Sequence, residues 1–121
     1  MKMKKVIAAV AALALTLTAC VSLSGCGEKK AKYTVGICQL VQHDALDAAT
    51  KGFKDVLKEK LGDDVEFDEQ NAANDSATCG TIVNQFVSNK VDLIMANATP
   101  ALQAAAAATA DIPIVATSIT D

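Results

Sequence analysis

The chain has 121 residues, 51% apolar, 21% charged and 3% aromatic, with four Cys, two Pro and no Trp, which leaves room for one domain at most. Three of its eleven basic residues fall in the first five positions, so the part from Cys26 onward holds eight basic and fourteen acidic residues, a formal charge of −6. An acidic body without a basic patch argues against nucleic-acid binding, and its apolar content argues against disorder.

Met1-Lys-Met-Lys-Lys5 is a basic leader, and Val6 to Ala19 is an uncharged run of fourteen residues. That run is too short for a spanning helix, which needs about 20 apolar residues, and suits the core of a signal peptide. Two tetrads, Leu17-Thr-Ala-Cys20 and Leu23-Ser-Gly-Cys26, resemble the lipobox of bacterial lipoproteins. The resemblance implies cleavage before a Cys whose thiol carries diacylglycerol. Cys26 is preferred over Cys20, because Gly27-Glu-Lys-Lys30 after it forms a small, then polar tether, whereas cleavage at Cys20 would leave Val21-Ser-Leu23 exposed on the linker. An ordinary secreted protein or an uncleaved anchor is the alternative. The expected division is a signal peptide over 1–25, a lipidated Cys and tether over 26–32, and a body over 33–121. A lipid anchor would hold that body at the extracytoplasmic face of the cell membrane.

Two Cys remain in the body, Cys38 and Cys79. With no neighbouring His and no CxxC spacing they are poor candidates for zinc or a redox motif. A disulfide is possible outside the cell, but both lie in apolar segments, and buried thiols are the favoured reading.

From the tether onward, strand-like and helix-like blocks alternate. Tyr33 to Leu40 is a short β-prone run of the kind covered on both faces in a parallel sheet. From Asp44 the period changes to about 3.6, with Leu46, Ala49, Phe53, Val56, Leu57 and Leu61 on one face and Gly62 as the stop. Val65-Glu-Phe-Asp68 alternates apolar with acidic, as a half-exposed edge strand does. Asn71 to Ser76 is a loop rich in N-cap residues. A helix over about Ser76 to Asn89 carries Cys79, Ile82, Val83, Phe86 and Val87 on one face, and Val91 to Ala96 reads as the third strand. Thr99 as N-cap and Pro100 as first helical residue predict a helix through the alanines to about Thr109. Asp111-Ile-Pro113 turns into a fourth strand, Ile114 to Ala116.

The order βαβαβαβ with short connections requires a parallel sheet with right-handed crossovers, a doubly wound α/β layer. Four strands make only part of such a layer, so the sequence is expected to be a piece of a longer one; a small flavodoxin-like protein is the alternative. In open α/β sheets ligands bind beyond the carboxyl ends of the strands, where strand order reverses. Polar or helix-starting residues leave every strand there: Gln42-His43-Asp44, Asn71 to Ser76, Asn97 to Pro100, and Thr117-Ser118. Free N–H groups at the helix starts near His43 and Thr99 favour an anion such as a carboxylate. No GxGxxG and no GxxxxGK[ST] is present, which disfavours a nucleotide cofactor.

Catalysis finds no support, because His43 is the lone His and no local spacing supplies a nucleophile with its base. Asp63, Asp64, Glu66, Asp68 and Glu69 lack the Gly and spacing of a calcium loop and read as a solvated acidic rim. No metal and no cofactor is expected.

Tyr33 to Asp47, Gly52-Phe53, Asn84-Gln-Phe86, Val91 to Ala101 and Ile112 to Asp121 together resemble, in order, the opening third of the ABC-transporter substrate-binding lipoproteins of the tryptophan/tyrosine-binding type. The resemblance implies a type I periplasmic-binding fold of two α/β lobes closing over a small molecule, with residues 33–121 as the first half of the first lobe. It further implies that Gln42 and His43 face the cleft from the first strand, that Leu46 closes an apolar wall, that Asn97, Ala98, Thr99 and Pro100 form a ligand-facing loop, and that Thr117 and Ser118 follow the fourth strand into the cleft. Many relatives carry Pro after the His; here Asp44 adds a carboxylate at the helix start. The implied role is a membrane-tethered binding protein delivering an amino acid, an aromatic one by resemblance, to ABC permease subunits. A surface adhesion lipoprotein built on the same lobe is the alternative.

Overall fold

The computed structural model describes residues 30–120; the leader, both lipobox-like tetrads and the first part of the tether lie outside them. The elements are β1 (Tyr33–Gln39), α1 (Asp44–Leu61), a single 3₁₀ turn (Gly62–Asp64), β2 (Val65–Asn71), α2 (Ser76–Ser88), β3 (Leu93–Asn97), α3 (Thr99–Ala108) and β4 (Ile114–Thr117). All pairings are parallel and the strand order is β2-β1-β3-β4, the α/β layer expected from the sequence. The chain steps outward from β1 to β2, then crosses back to β3, so the order reverses between β1 and β3.

Period-two alternation divides the core into two faces. Val35 and Ile37 of β1 join Val65 and Met95 under Phe53 and Leu57 of α1. Cys38, Ile94 and Ala96 point the other way, into a cluster with Cys79, Ile82, Val83 and Phe86 of α2 and Ala101 and Ala105 of α3. Gly36 shares this second face, where an added Cβ would stand 2.6 Å from ring atoms of Phe86. The absent side chain is what lets α2 approach the sheet. Central β1 is buried over Val35–Gln39, whereas β2 is half-exposed or exposed at every position beyond Val65, the edge expected from its acidic residues.

Several boundaries move, each for a local reason. β2 runs on through Asn71, which pairs with Gln39, rather than ending at Asp68. Val91 lies in the connection after α2, its N–H donating back to Phe86 O, so β3 begins at Leu93. Thr99 is not the N-cap of α3: Ala98 occupies that position at φ 95° with no side-chain cap, and Thr99 is the first helical residue. The Thr99 hydroxyl is engaged elsewhere, accepting from Thr120 N at 3.0 Å and donating to Thr120 O at 3.1 Å. Val56 and Leu61, expected on the buried face of α1, are 49% and 36% exposed. α2 and α3 pack together on one face of the sheet, while α1 covers the other without such a neighbour among the described residues, leaving its flanks open.

Both body cysteines are free and fully buried, the arrangement favoured from sequence. Burial pushes the Cys38 thiol up to about 12, with neighbouring Cys79 adding to the rise, and burial raises Cys79 as well.

Candidate functional site

The carboxyl ends of β1 and β3 meet as register partners at Gln39 and Asn97, and Leu40 N–H donates to Asn97 O at 3.1 Å. From this junction the chain departs in two directions, through Gln42 and His43 into α1 and through Ala98 and Thr99 into α3. Thr117 pairs with Asn97 on the far side and accepts from Ala98 N at 3.0 Å. The fold therefore brings the segments singled out from the sequence to one edge at the point of strand-order reversal, the place where open α/β sheets bind ligands.

Beneath the loops lies a polar cluster that sequence reasoning missed. Gln39, Thr50 and Asn97 are all buried. Asn97 Nδ2 donates to Leu46 O at 2.8 Å and to Thr50 Oγ1 at 2.9 Å. The Thr50 hydroxyl donates to Gln39 Oε1 at 2.7 Å. Gln39 Nε2 donates to Asp47 Oδ1 at 2.6 Å and to Val41 O at 2.9 Å. Two carbonyls that can only accept, those of Leu46 and Val41, fix which way each amide is turned. Asn97 Oδ1 is the buried side-chain acceptor left without a partner among the described residues. The available signal was the pair of amides ending two otherwise apolar strands, with Asp47 and Thr50 one helical turn apart facing them.

His43 is the N-cap of α1, its Nδ1 accepting from Ala45 N at 3.2 Å, and its ring stands at the exposed edge. The two helix starts differ electrostatically. α1 begins with Asp44 and Asp47, whereas α3 has no acid in its first turn and no side-chain cap. An anionic ligand group is thus better matched to the start of α3.

The sequence-predicted residues do not share one cavity. Gln42 lines a polar pocket of 340 Å³ with Gln39, Asp47, Glu69, Gln70 and Asn71. Thr117 lines a separate apolar groove of 470 Å³ on the sheet face, with Phe53, Met95 and Val115. His43 and Ser118 are exposed, Leu46, Thr99, Pro100 and Thr117 half-buried, and Asn97 and Ala98 buried. Ser118 takes φ 59° just beyond β4. Among the described residues no group of three or more His, Cys, Asp or Glu could hold a metal ion, and no helix is long and apolar enough to cross a membrane.

Comparison with known proteins places this edge in context. A tyrosine-binding protein of Clostridioides difficile (strain R20291) is 48% identical over 97 residues, which are 78% of this chain and 28% of that protein. The ligand-free, open structure of a substrate-binding protein with adhesive properties from Clostridium difficile superposes with a TM-score of 0.70 at 46% identity, covering 74% of this chain and 31% of that one. An ABC domain in complex with L-Trp from Streptococcus pneumonia superposes with a TM-score of 0.70 at 38% identity, over 75% of this chain and 32% of that one. The chain therefore spans less than a third of the length of these relatives, which are binding proteins. The family profile described as ABC transporter substrate-binding protein matches residues 34–121, and the chain belongs to that family.

Proposed function

We propose that the chain contributes one wall of an amino-acid site, aromatic amino acids being the favoured ligands, in the binding component of an ABC importer. The observation that carries this reading is the junction of β1 and β3, where the segments bearing Gln42–His43 and Ala98–Thr99 leave paired strand ends above a buried polar base. The start of α3 suits a ligand carboxylate, and the tyrosine- and tryptophan-binding relatives support the side-chain class. Pro100, Thr117 and Ser118 extend the same wall, and Leu46 supplies an apolar contact. The chain acts by binding, without catalysis.

His43 decides the matter. Its cap role means that His43→Ala would disturb α1 as well as any ligand contact, so the informative variant is His43→Ser, whose hydroxyl replaces the ring nitrogen as N-cap acceptor. Loss of one hydrogen bond to a charged group costs about 1.5–3 kcal/mol, roughly a ten- to hundredfold drop in affinity. Calorimetric titration with L-tyrosine or L-tryptophan should show that drop in His43→Ser with the melting temperature of the free protein held. Unchanged affinity removes His43 from the site.

Tethering through Cys26, with Cys20 as the alternative, completes the proposal and would place the body at the extracytoplasmic membrane face beside its permease. Cys26→Ser should release the protein from membranes while Cys20→Ser should not. An adhesive role on the same lobe is favoured by one solved relative's adhesive properties; binding to host surfaces without any saturable amino-acid binding would select it.

A further inference from the structure

The hydrogen bonds under the junction run in one direction. Asn97 Nδ2 donates to Thr50 Oγ1, Thr50 donates to Gln39 Oε1, and Gln39 Nε2 donates to Asp47 Oδ1. Each group has one arrangement of donors and acceptors that satisfies its neighbours, because both amides are locked by backbone carbonyls at Leu46 and Val41 and the chain ends on a carboxylate. Bonds aligned this way polarise one another, and their buried members leave costly unmet groups if one is cut. Thr50 is the hinge of the arrangement: it is 2% exposed, it is the fully buried residue of α1, and its one hydroxyl joins a residue of β1 to a residue of β3.

We propose that Thr50 and Gln39 are positioning residues of the ligand edge, holding the ends of β1 and β3 and the first turns of α1 as a single rigid body on which the loop bearing His43 and the start of α3 are mounted. The proposal rests on the reading of this edge as a ligand site, but its mechanical content is separate. Cutting the chain at α1 must loosen the start of α3, which contributes nothing to the cut bond.

Amide hydrogen exchange on the full chain reads this directly. Four amides report on the junction: Leu40 and Asp47 on the β1–α1 side, and Ala98 and Leu102 on the β3–α3 side, bonded to Asn97 O, His43 O, Thr117 O and Ala98 O. Cys79 and Asn89, bonded to Asp75 O and Gln85 O in α2, serve as references. Thr50→Val, equal in shape but without the hydroxyl, should accelerate exchange at all four junction amides about tenfold over the references. Thr50→Ser should restore the original rates. Asp47→Ala, at an exposed position where folding is not at risk, should give the same pattern at smaller amplitude. Acceleration confined to Leu40 and Asp47, or shared equally by Cys79 and Asn89, overturns the proposal, as does failure of Thr50→Ser to restore the rates. Titration with L-tyrosine and L-tryptophan accompanies it. Weaker binding in Thr50→Val that Thr50→Ser recovers supports both readings, whereas absence of binding in every variant overturns the ligand reading and leaves the exchange data to decide the positioning one.

Discussion

Single atoms set the tolerance of this fold at several places. A methyl group at Gly36 would meet the Phe86 ring at 2.6 Å, and Phe86 is itself fully buried, so neither partner can yield freely. Gly36→Ala should destabilise the chain by about 1–3 kcal/mol, the range for overpacking a close-packed core, and trimming Phe86 to Leu in the same chain should recover part of the loss in urea melts. Cys38 makes a different demand. Its thiol is pushed from 9.0 to about 12 in the fold, so between those values the unfolded chain releases a proton that the folded chain retains. Stability is therefore intact below about pH 9 and falls as pH rises toward 12, by up to about 1.4 kcal/mol per pH unit. Cys38→Ala should flatten that decline relative to the parent; parallel profiles would show that the thiol does not govern it.

The helices are bounded by specific contacts at their ends. α1 closes on Gly62 at φ 56°, whose N–H returns to Lys58 O, and begins on His43, a residue that also stands where a ligand would arrive. α2 begins on Asp75, whose carboxylate accepts from Thr78 Oγ1 at 2.8 Å and Ala77 N at 3.0 Å. The Thr78 bond first, and the Ala77 N–H after it, hold this carboxyl below its ordinary 3.8. Its contribution is therefore present above about pH 4 and disappears as acid protonates the folded form. Asp75→Ala should lower the melting temperature at pH 7 and leave it nearly unchanged near pH 2, as followed by circular dichroism. α3 lacks such a cap and starts instead from Ala98 at φ 95°, a backbone conformation costly for any residue with a Cβ. That strain sits in the segment proposed to face the ligand.

At the scale of the whole molecule, the two sheet faces are unequal. α2 and α3 seal one face, but beside α1 the apolar groove lined by Phe53, Met95 and Val115 stays open, and Val115 and Ile119 are 40% and 43% exposed. β4 also presents an unpaired edge among the described strands, a template for association. A polypeptide confined to residues 27–121 should accordingly self-associate. Analytical ultracentrifugation checks this, and a monomer at all concentrations contradicts it.

The sequence by itself determined the βαβαβαβ order, the buried and edge characters of β1 and β2, and the edge on which Gln42, His43, Asn97 and Thr117 gather, and it favoured buried thiols over a disulfide. These follow from hydrophobic period and from the chirality of parallel crossovers, both local properties written into short stretches of chain. Only the tertiary structure decided that Ala98 rather than Thr99 caps α3, because the Thr99 hydroxyl is drawn to Thr120, 21 residues away. It alone joined Gln39, Thr50 and Asn97. Asn97 lies 47 residues from Thr50, and no periodicity reports which buried polar groups will satisfy one another once distant strands are brought side by side.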